Sequence, residues 1–249
     1  MRRTAAKLLS ALALLATMQA YSQITPHTTA DYRLFGYPRQ VRYMKFESDS
    51  NLKNQRTSFI EDYQLTFDNQ RRLTERTNYI DGRQDRHCKF EYDNNRHLAK
   101  ETLMEADNKI VSLTEYTYNY LGRVSQITTV EYPQSRGGAN TVVRQETYEY
   151  NAKGQQIKQT ITSDNNRESR TTEFFYGPQD SLIYSITKYS YNNHVDKTTY
   201  KRDFNHTLIE KTDVRNDKTI RRETYRYNDK GLMDKKEIYN GKNKKLLTY

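Results

Sequence analysis

A chain of 249 residues with 41 lysines and arginines against 31 acidic residues carries a net charge of +10, yet only 34% of it is hydrophobic and its mean hydropathy is −1.09. A single cysteine, Cys88, excludes an internal disulfide framework. Cations and carboxylates alternate along nearly every segment, which argues for solvated sheet surfaces and against the basic stripe that nucleic-acid binding requires.

At the N-terminus, Arg2, Arg3 and Lys7 form a basic start, Leu8 to Ala16 an apolar run, and Ala20-Tyr21-Ser22 a small-x-small cleavage pattern. We read residues 1–22 as a signal peptide cut before Gln23. The apolar run falls short of the roughly 20 residues that a membrane-spanning helix needs. No cysteine adjoins the cut, so no lipid anchor is expected there. Export implies a periplasmic, extracellular or cell-surface location. Loss of the three leader cations lowers the net charge from +10 to +7.

Residues 23–40 form a lead-in segment, and 41–249 read as a single repeat domain. Val41 to Glu47 and Arg56 to Phe67 predict a first hairpin around Asp49-Ser50-Asn51. From there an aromatic anchor recurs at Phe67, Tyr92, Tyr118, Tyr150, Tyr176, Phe204 and Tyr227, with spacings of 25, 26, 32, 26, 28 and 23 residues. Phe90, Tyr116, Tyr148, Phe174 and Tyr225 stand two positions before an anchor, which puts two rings on one face of a strand. After each anchor a longer turn is expected, with glycine in its left-handed position at Gly122, Gly154 and Gly231. Arg71 and Arg96 replace that glycine, Gly177-Pro178-Gln179-Asp180 replaces the whole turn, and the Phe204 unit looks shorter; these four should differ in geometry.

Between anchors lie Asp81-Gly82, Asp107-Asn108, Gly137-Gly138, Asn165-Asn166, Asn192-Asn193, Asn216-Asp217 and Asn240-Gly241, the residue types that tight two-residue turns demand. Two alternating turn families predict an all-β, antiparallel up-and-down meander of about sixteen strands, curved, spiral or closed. Leu73, Leu98, Val124, Ile157, Leu182, Leu208 and Met233 should return to the anchor face, while Arg86, Glu146, Arg170 and Glu223 thin the apolar band. The 22 tyrosines reconcile this fold with the low hydropathy, because a tyrosine buries a large ring while its hydroxyl stays polar. At the tail, Lys235, Lys236, Lys242, Lys244 and Lys245 read as a guard on an edge strand.

The segment Tyr116-Thr117-Tyr118-Asn119-Tyr120-Leu121-Gly122-Arg123-Val124 closely resembles the tyrosine-aspartate (YD) repeat of the rearrangement-hotspot (Rhs) family, aromatic-x-Tyr-Asp-x-x-Gly-Arg-Leu. Tyr148 to Ile157 and Tyr225 to Met233 match it with Gln155 and Leu232 in place of the arginine, and Tyr92-Asp93 keeps the pair without the glycine. The resemblance implies β-hairpins winding into a spiral sheet, as in extracellular shells or surface filaments. Seven units are too few for a toxin-enclosing shell, so the expectation is a small stand-alone exported relative.

No reaction chemistry stands out. His27, His87, His97, His194 and His206 show no metal-ligand spacing, and neither a nucleophile elbow nor a phosphate loop is present. We therefore assign no catalytic, metal or cofactor residues. A transmembrane barrel is disfavoured because the strand over 83–92 carries charges on both faces, at about 2–4 kcal/mol for each basic residue at the bilayer midplane. The expected role is non-enzymatic binding or scaffolding at a bacterial cell envelope, with a glycan or another envelope protein as partner. The alternative is a carbohydrate-active or glycan-binding protein using Tyr116, Tyr118, Tyr148, Tyr150, Tyr225 and Tyr227, should that aromatic face be open.

Overall fold

In the computed structural model, residues 28–48, 57–133, 141–164 and 169–249 are described. The expected leader and the turns expected at Asp49-Ser50-Asn51, Gly137-Gly138 and Asn165-Asn166 lie outside them. Sixteen strands follow in order: β1 (Gln40–Ser48), β2 (Thr57–Phe67), β3 (Leu73–Ile80), β4 (Arg83–Tyr92), β5 (Leu98–Glu105), β6 (Ile110–Tyr118), β7 (Val124–Glu131) and β8 (Val142–Tyr150). The second half comprises β9 (Gln156–Ser163), β10 (Arg170–Tyr176), β11 (Leu182–Tyr189), β12 (Val195–Arg202), β13 (Leu208–Arg215), β14 (Lys218–Tyr227), β15 (Met233–Asn240) and β16 (Lys245–Thr248). Each strand pairs antiparallel with its sequence neighbours in one sheet of order β1 through β16, and β1 does not pair with β16, so the sheet is open. The expected meander and strand count hold; closure does not occur.

The anchored edge is uniform because one Asx geometry recurs there. Asp68, Asn119, Asn151, Asp203 and Asn228 each point a side-chain oxygen at the backbone N–H groups two and four residues ahead, and Asp93 reaches His97 in the same way. A short polar side chain that satisfies two turn donors explains the Asp or Asn after every regular anchor. Three residues on, the backbone turns left-handed at Gly122, Gly154 and Gly231, with φ of 70°, 77° and 72°. Arg71, Arg96 and His206 adopt the same conformation at 66°, 71° and 63°. The expectation that Arg71 and Arg96 would change the loop is therefore corrected: the Asx bonds hold a non-glycine residue in a conformation that costs it about 1–2 kcal/mol. Only 177–181 departs, with a short 3₁₀ turn over Pro178–Asp180.

A β-bulge precedes every anchor, between Thr66 and Phe67, Glu91 and Tyr92, Thr117 and Tyr118, Glu149 and Tyr150, Phe175 and Tyr176, Lys201 and Arg202, and Arg226 and Tyr227. The bulge series corrects the sixth anchor: Arg202, facing Leu208, holds the place assigned to Phe204. Phe204 lies in the turn, 89% exposed, because Asp203 must start the Asx geometry and so fixes the anchor one residue earlier. That turn is as long as the others. Likewise Gln156, not Ile157, faces Tyr150, and Ile157 is exposed.

The opposite edge is mixed. Asp81-Gly82 and Asn216-Asp217 form the expected two-residue turns, with positive φ at both residues. Asn192-Asn193 belong to a four-residue loop closed by the Tyr189 N–H to His194 carbonyl bond. Asp107-Asn108 and Asn240-Gly241 instead sit in five-residue turns of the anchored kind, with Asn108 and Asn243 left-handed. Asn240 accepts from the N–H groups of Lys242 and Lys244, a bonding pattern that a two-residue turn has no room for.

What joins one hairpin to the next is a tyrosine. Backbone pairing between β3 and β4 begins at Glu75, between β5 and β6 at Lys100, between β7 and β8 at Gln126, and between β9 and β10 at Lys158. The carbonyl two residues nearer the anchored edge is left beyond the ladder. The next anchor's hydroxyl donates to it: Tyr92 to Leu73, Tyr118 to Leu98, Tyr150 to Val124 and Tyr176 to Gln156, at 2.6–2.8 Å. Phe67, Leu73, Leu98, Val124 and Leu182 are buried along this edge, and Leu65, Ile161 and Ile238 deeper in the same face. The lead-in closes the first turn, with the Thr29 N–H on the Arg71 carbonyl and Tyr32 and Leu34 packed on Leu65, Phe67 and Leu73.

Removing only the hydroxyl isolates the clasp. Tyr118→Phe and Tyr150→Phe should each cost about 1 kcal/mol, whereas Tyr118→Ala and Tyr150→Ala should cost about 3–5 kcal/mol through the lost ring. Urea unfolding with an unchanged m-value is the measurement.

Candidate functional site

Register places the six aromatic candidates on one face. Cross-strand neighbours share a face, and Tyr116 opposes Ile127, Tyr148 opposes Gln159, and Tyr225 opposes Lys236. All six rings, Tyr116, Tyr118, Tyr148, Tyr150, Tyr225 and Tyr227, are half-buried. The hydroxyls of five of them have internal partners. Tyr118 and Tyr150 bind backbone carbonyls, and Tyr116, Tyr148 and Tyr225 donate to Glu101, Glu146 and Glu223 at 2.6–2.7 Å. Tyr239 repeats the pattern on Glu237 at 3.1 Å. A ring so held is cemented into the sheet, and its outer surface is what remains for a ligand.

The carboxylates of this face are tied in turn to cations. Glu223, 5% exposed, receives Tyr225, Arg221 and Lys236. Burial alone would raise its pKa, but the bonds from Tyr225 and Lys236 outweigh this and hold it below the ordinary carboxylate value. Arg215 grips Asp196 with two bonds of 2.7 Å, keeping that carboxyl low as well. Burial, and then the adjoining carboxylates, push Tyr116, Tyr148 and Tyr225 far above the usual phenol range, and burial pushes Tyr118 up to about 12. A phenol raised this far is a poor nucleophile or acid near neutrality.

In the first three anchored turns the closing residue covers the next anchor. Arg72 lies over the Tyr92 ring at 4.5 Å, His97 stacks on Tyr118 at 4.5 Å, and Arg123 lies over Tyr150 at 5.6 Å while its guanidinium donates to the Gly154 carbonyl. This gives a structural reason for the arginine after the turn glycine, which the sequence reading noted only as a motif letter. The Tyr–Glu pairs have a sequence signal too, in Glu146-x-Tyr148, Glu223-x-Tyr225 and Glu237-x-Tyr239.

His87 is buried, with its Nδ1 3.1 Å from the Gln84 amide, and Cys88 lies on the other face with its thiol pushed up to about 12 by burial and by Glu101. Among the described residues no three His, Cys, Asp or Glu side chains converge as a metal set, and no helix is long and apolar enough to cross a membrane. A cavity of about 140 Å³ lies between the lead-in and the first anchored turn, lined by Tyr37, Pro38, Arg39, Asp68, Asn69 and Arg71. It is smaller than the roughly 300 Å³ at which small-molecule sites begin. Arg71 also lies 3.7 Å above the Tyr37 ring, across that cavity.

What stays open is the anchored edge itself. Tyr120 and Phe204 stand 92% and 89% exposed on turn tips, and Phe35, Tyr37, Leu121 and Leu232 are exposed along the same rim. None of these six side chains takes part in the clasps or the Asx bonds, although the backbone N–H groups of Leu121 and Leu232 donate to Asn119 and Asn228.

No family model matches the chain, and no curated protein matches it. Among solved structures, the fold is similar to a porin-like protein from Bacteroides uniformis, at a TM-score of 0.40 and 12% identity over 84% of this chain and 93% of that one.

The ionic network sets an acid limit. Lys245 and Lys235 hold Glu237 down to about 2 from its ordinary 4.5, so its contribution is complete above pH 4.5 and is lost as pH falls through about 2. Tyr118 works in the opposite sense: its contribution is complete below pH 10 and is lost as pH rises through about 12. Melting followed against pH should decline in both windows. Glu237→Gln should flatten the acid limb and Tyr118→Phe the alkaline one.

Proposed function

We propose that this chain is an exported, non-enzymatic binding or scaffolding module of a bacterial cell envelope, a small YD-like repeat sheet that meets another envelope protein along its anchored rim. The observation that carries the reading is the row of exposed apolar turn residues, above all Tyr120 and Phe204 at 92% and 89% exposure. Exposed large apolar residues gathered along one rim, and not used by the fold, support an interaction surface there. The N-terminal leader read from the sequence supports a periplasmic or cell-surface location. Carbohydrate recognition by the tyrosine face is the weaker reading, because the hydroxyls a sugar would address at Tyr116, Tyr118, Tyr148, Tyr150 and Tyr225 are engaged within the sheet.

The test is a double variant, Tyr120→Ser with Phe204→Ser, assayed for retention on envelope fractions. Melting should be unchanged and retention should fall at least about tenfold, the loss of two modest hot spots of about 1 kcal/mol each. Unaltered retention would overturn the rim assignment. Soluble glycans that compete for the wild type would shift the reading to carbohydrate. Turnover abolished by one carboxylate change in a folded chain would end the non-enzymatic reading.

A further inference from the structure

Among the described residues, both ends of the sheet present an unused strand edge. β1 pairs only with β2, and β16 only with β15. Within an antiparallel strand, alternate residues direct their N–H and C=O groups to opposite sides. The Arg39 carbonyl accepts from the Phe67 N–H, so Gln40, Arg42 and Met44 direct their backbone groups away from β2. At the other end, Tyr249 exchanges both backbone bonds with Lys236, which turns Thr248 outward from β15.

Edges of this kind are normally guarded by free charge, and the lysine-rich tail promised such a guard. In the structure it is largely disarmed. Lys245, the lysine of β16, is bonded to Glu237 at 2.5 Å, and Lys235 and Lys236 bind Glu237 and Glu223. Lys242 and Lys244 lie in the turn before the strand. On β1, Arg42 is held by two 2.9 Å bonds to Asp62, which leaves the exposed Lys45 as a charge on that strand. Exposed apolar side chains stand at both edges: Tyr43 and Met44 on β1, Leu246 and Leu247 on β16.

Strand parity admits a head-to-tail partner, and the two ends differ in sequence. Fifteen reversals separate β1 from β16, so the two outer strands run antiparallel to one another. A second copy set beside the first in the same orientation brings its β1 to this β16 in the pairing mode that every other junction of the sheet already uses. We propose that the chain associates head to tail, β16 of one copy pairing antiparallel with β1 of the next to extend the sheet. The contact is heterologous, so it propagates instead of stopping at a dimer. It rests on the strand edges alone and stands whether or not the turn rim binds a partner.

Proline at an outward N–H removes that donor without touching an internal bond. The experiment uses the full mature chain, Thr248→Pro and Met44→Pro, each checked by circular dichroism and measured by light scattering over a concentration series. Wild type should grow in mass with concentration. Each variant alone should be monomeric, and an equimolar mixture should form a one-to-one dimer, because Thr248→Pro retains a competent β1 and Met44→Pro a competent β16. A wild type that stays monomeric up to about millimolar concentration, or a mixture that stays monomeric, would overturn the proposal. So would β16-to-β16 association, recognised by Met44→Pro dimerising alone. If either proline perturbs the fold, Leu246→Lys and Tyr43→Lys restore edge guards and carry the same test.

Discussion

A single open sheet has no second layer to pack against, so its hairpins must be bound to one another within the layer. The tyrosine clasp meets that requirement at the point of greatest need, where the backbone ladder between two hairpins has ended and one carbonyl is left over. Tyr92, Tyr118, Tyr150 and Tyr176 each fill it with a hydroxyl while the ring covers buried aliphatics such as Leu73, Leu98 and Val124. One side chain thus does the work of a hydrogen-bond donor and a core residue. Phenylalanine would supply the ring without the donor.

The clasp depends on the turn before it. The Asx side chain fixes five residues, the bulge aims the anchor, and the last turn residue lies over the next anchor's ring, as Arg72, His97 and Arg123 do. Each unit is therefore completed by its successor. This is the nearest-neighbour economy of repeat proteins, in which stability is a sum of unit and interface terms. The tyrosine face is consequently consumed by the architecture, while the turn tips and strand ends stay exposed.

The meander was legible because strand alternation and turn residues are local properties, and so were the regular anchored turns, whose Asp or Asn is written next to every anchor but Tyr176. Two features misled. Phe204 drew the eye as an aromatic, but turn geometry is set by Asp203, and the anchor slot one residue earlier holds Arg202. Asn240-Gly241 has the composition of a two-residue turn, yet Asn243 three residues on accepts the left-handed conformation and lets the longer Asx form prevail. Composition lists the turns a segment can make; pairing register chooses among them. The open edge was not legible, since nothing local says whether the first strand meets the last.

The clasp series also stops partway along the sheet, and the cause can be traced. At Arg202 the donor is a guanidinium that reaches forward to the His206 carbonyl, so the junction with Leu182 has lost its tyrosine. Beyond it the sheet is held by another currency: Arg215 on Asp196, Lys211 on Asp213, Arg222 on Glu210, Arg221 and Lys236 on Glu223, Lys235 and Lys245 on Glu237. Most of these pairs are partly exposed, where each contributes little and salt weakens it further. Glu223 is the exception, buried beside Ile238 in the deepest part of the C-terminal strands. The tyrosine clasps thus run from β3 to β10, and among the described residues none is formed toward β16, the end whose outer strand carries four residues. Pairing with a further β-strand would supply there the backbone bonds that tyrosine supplies elsewhere.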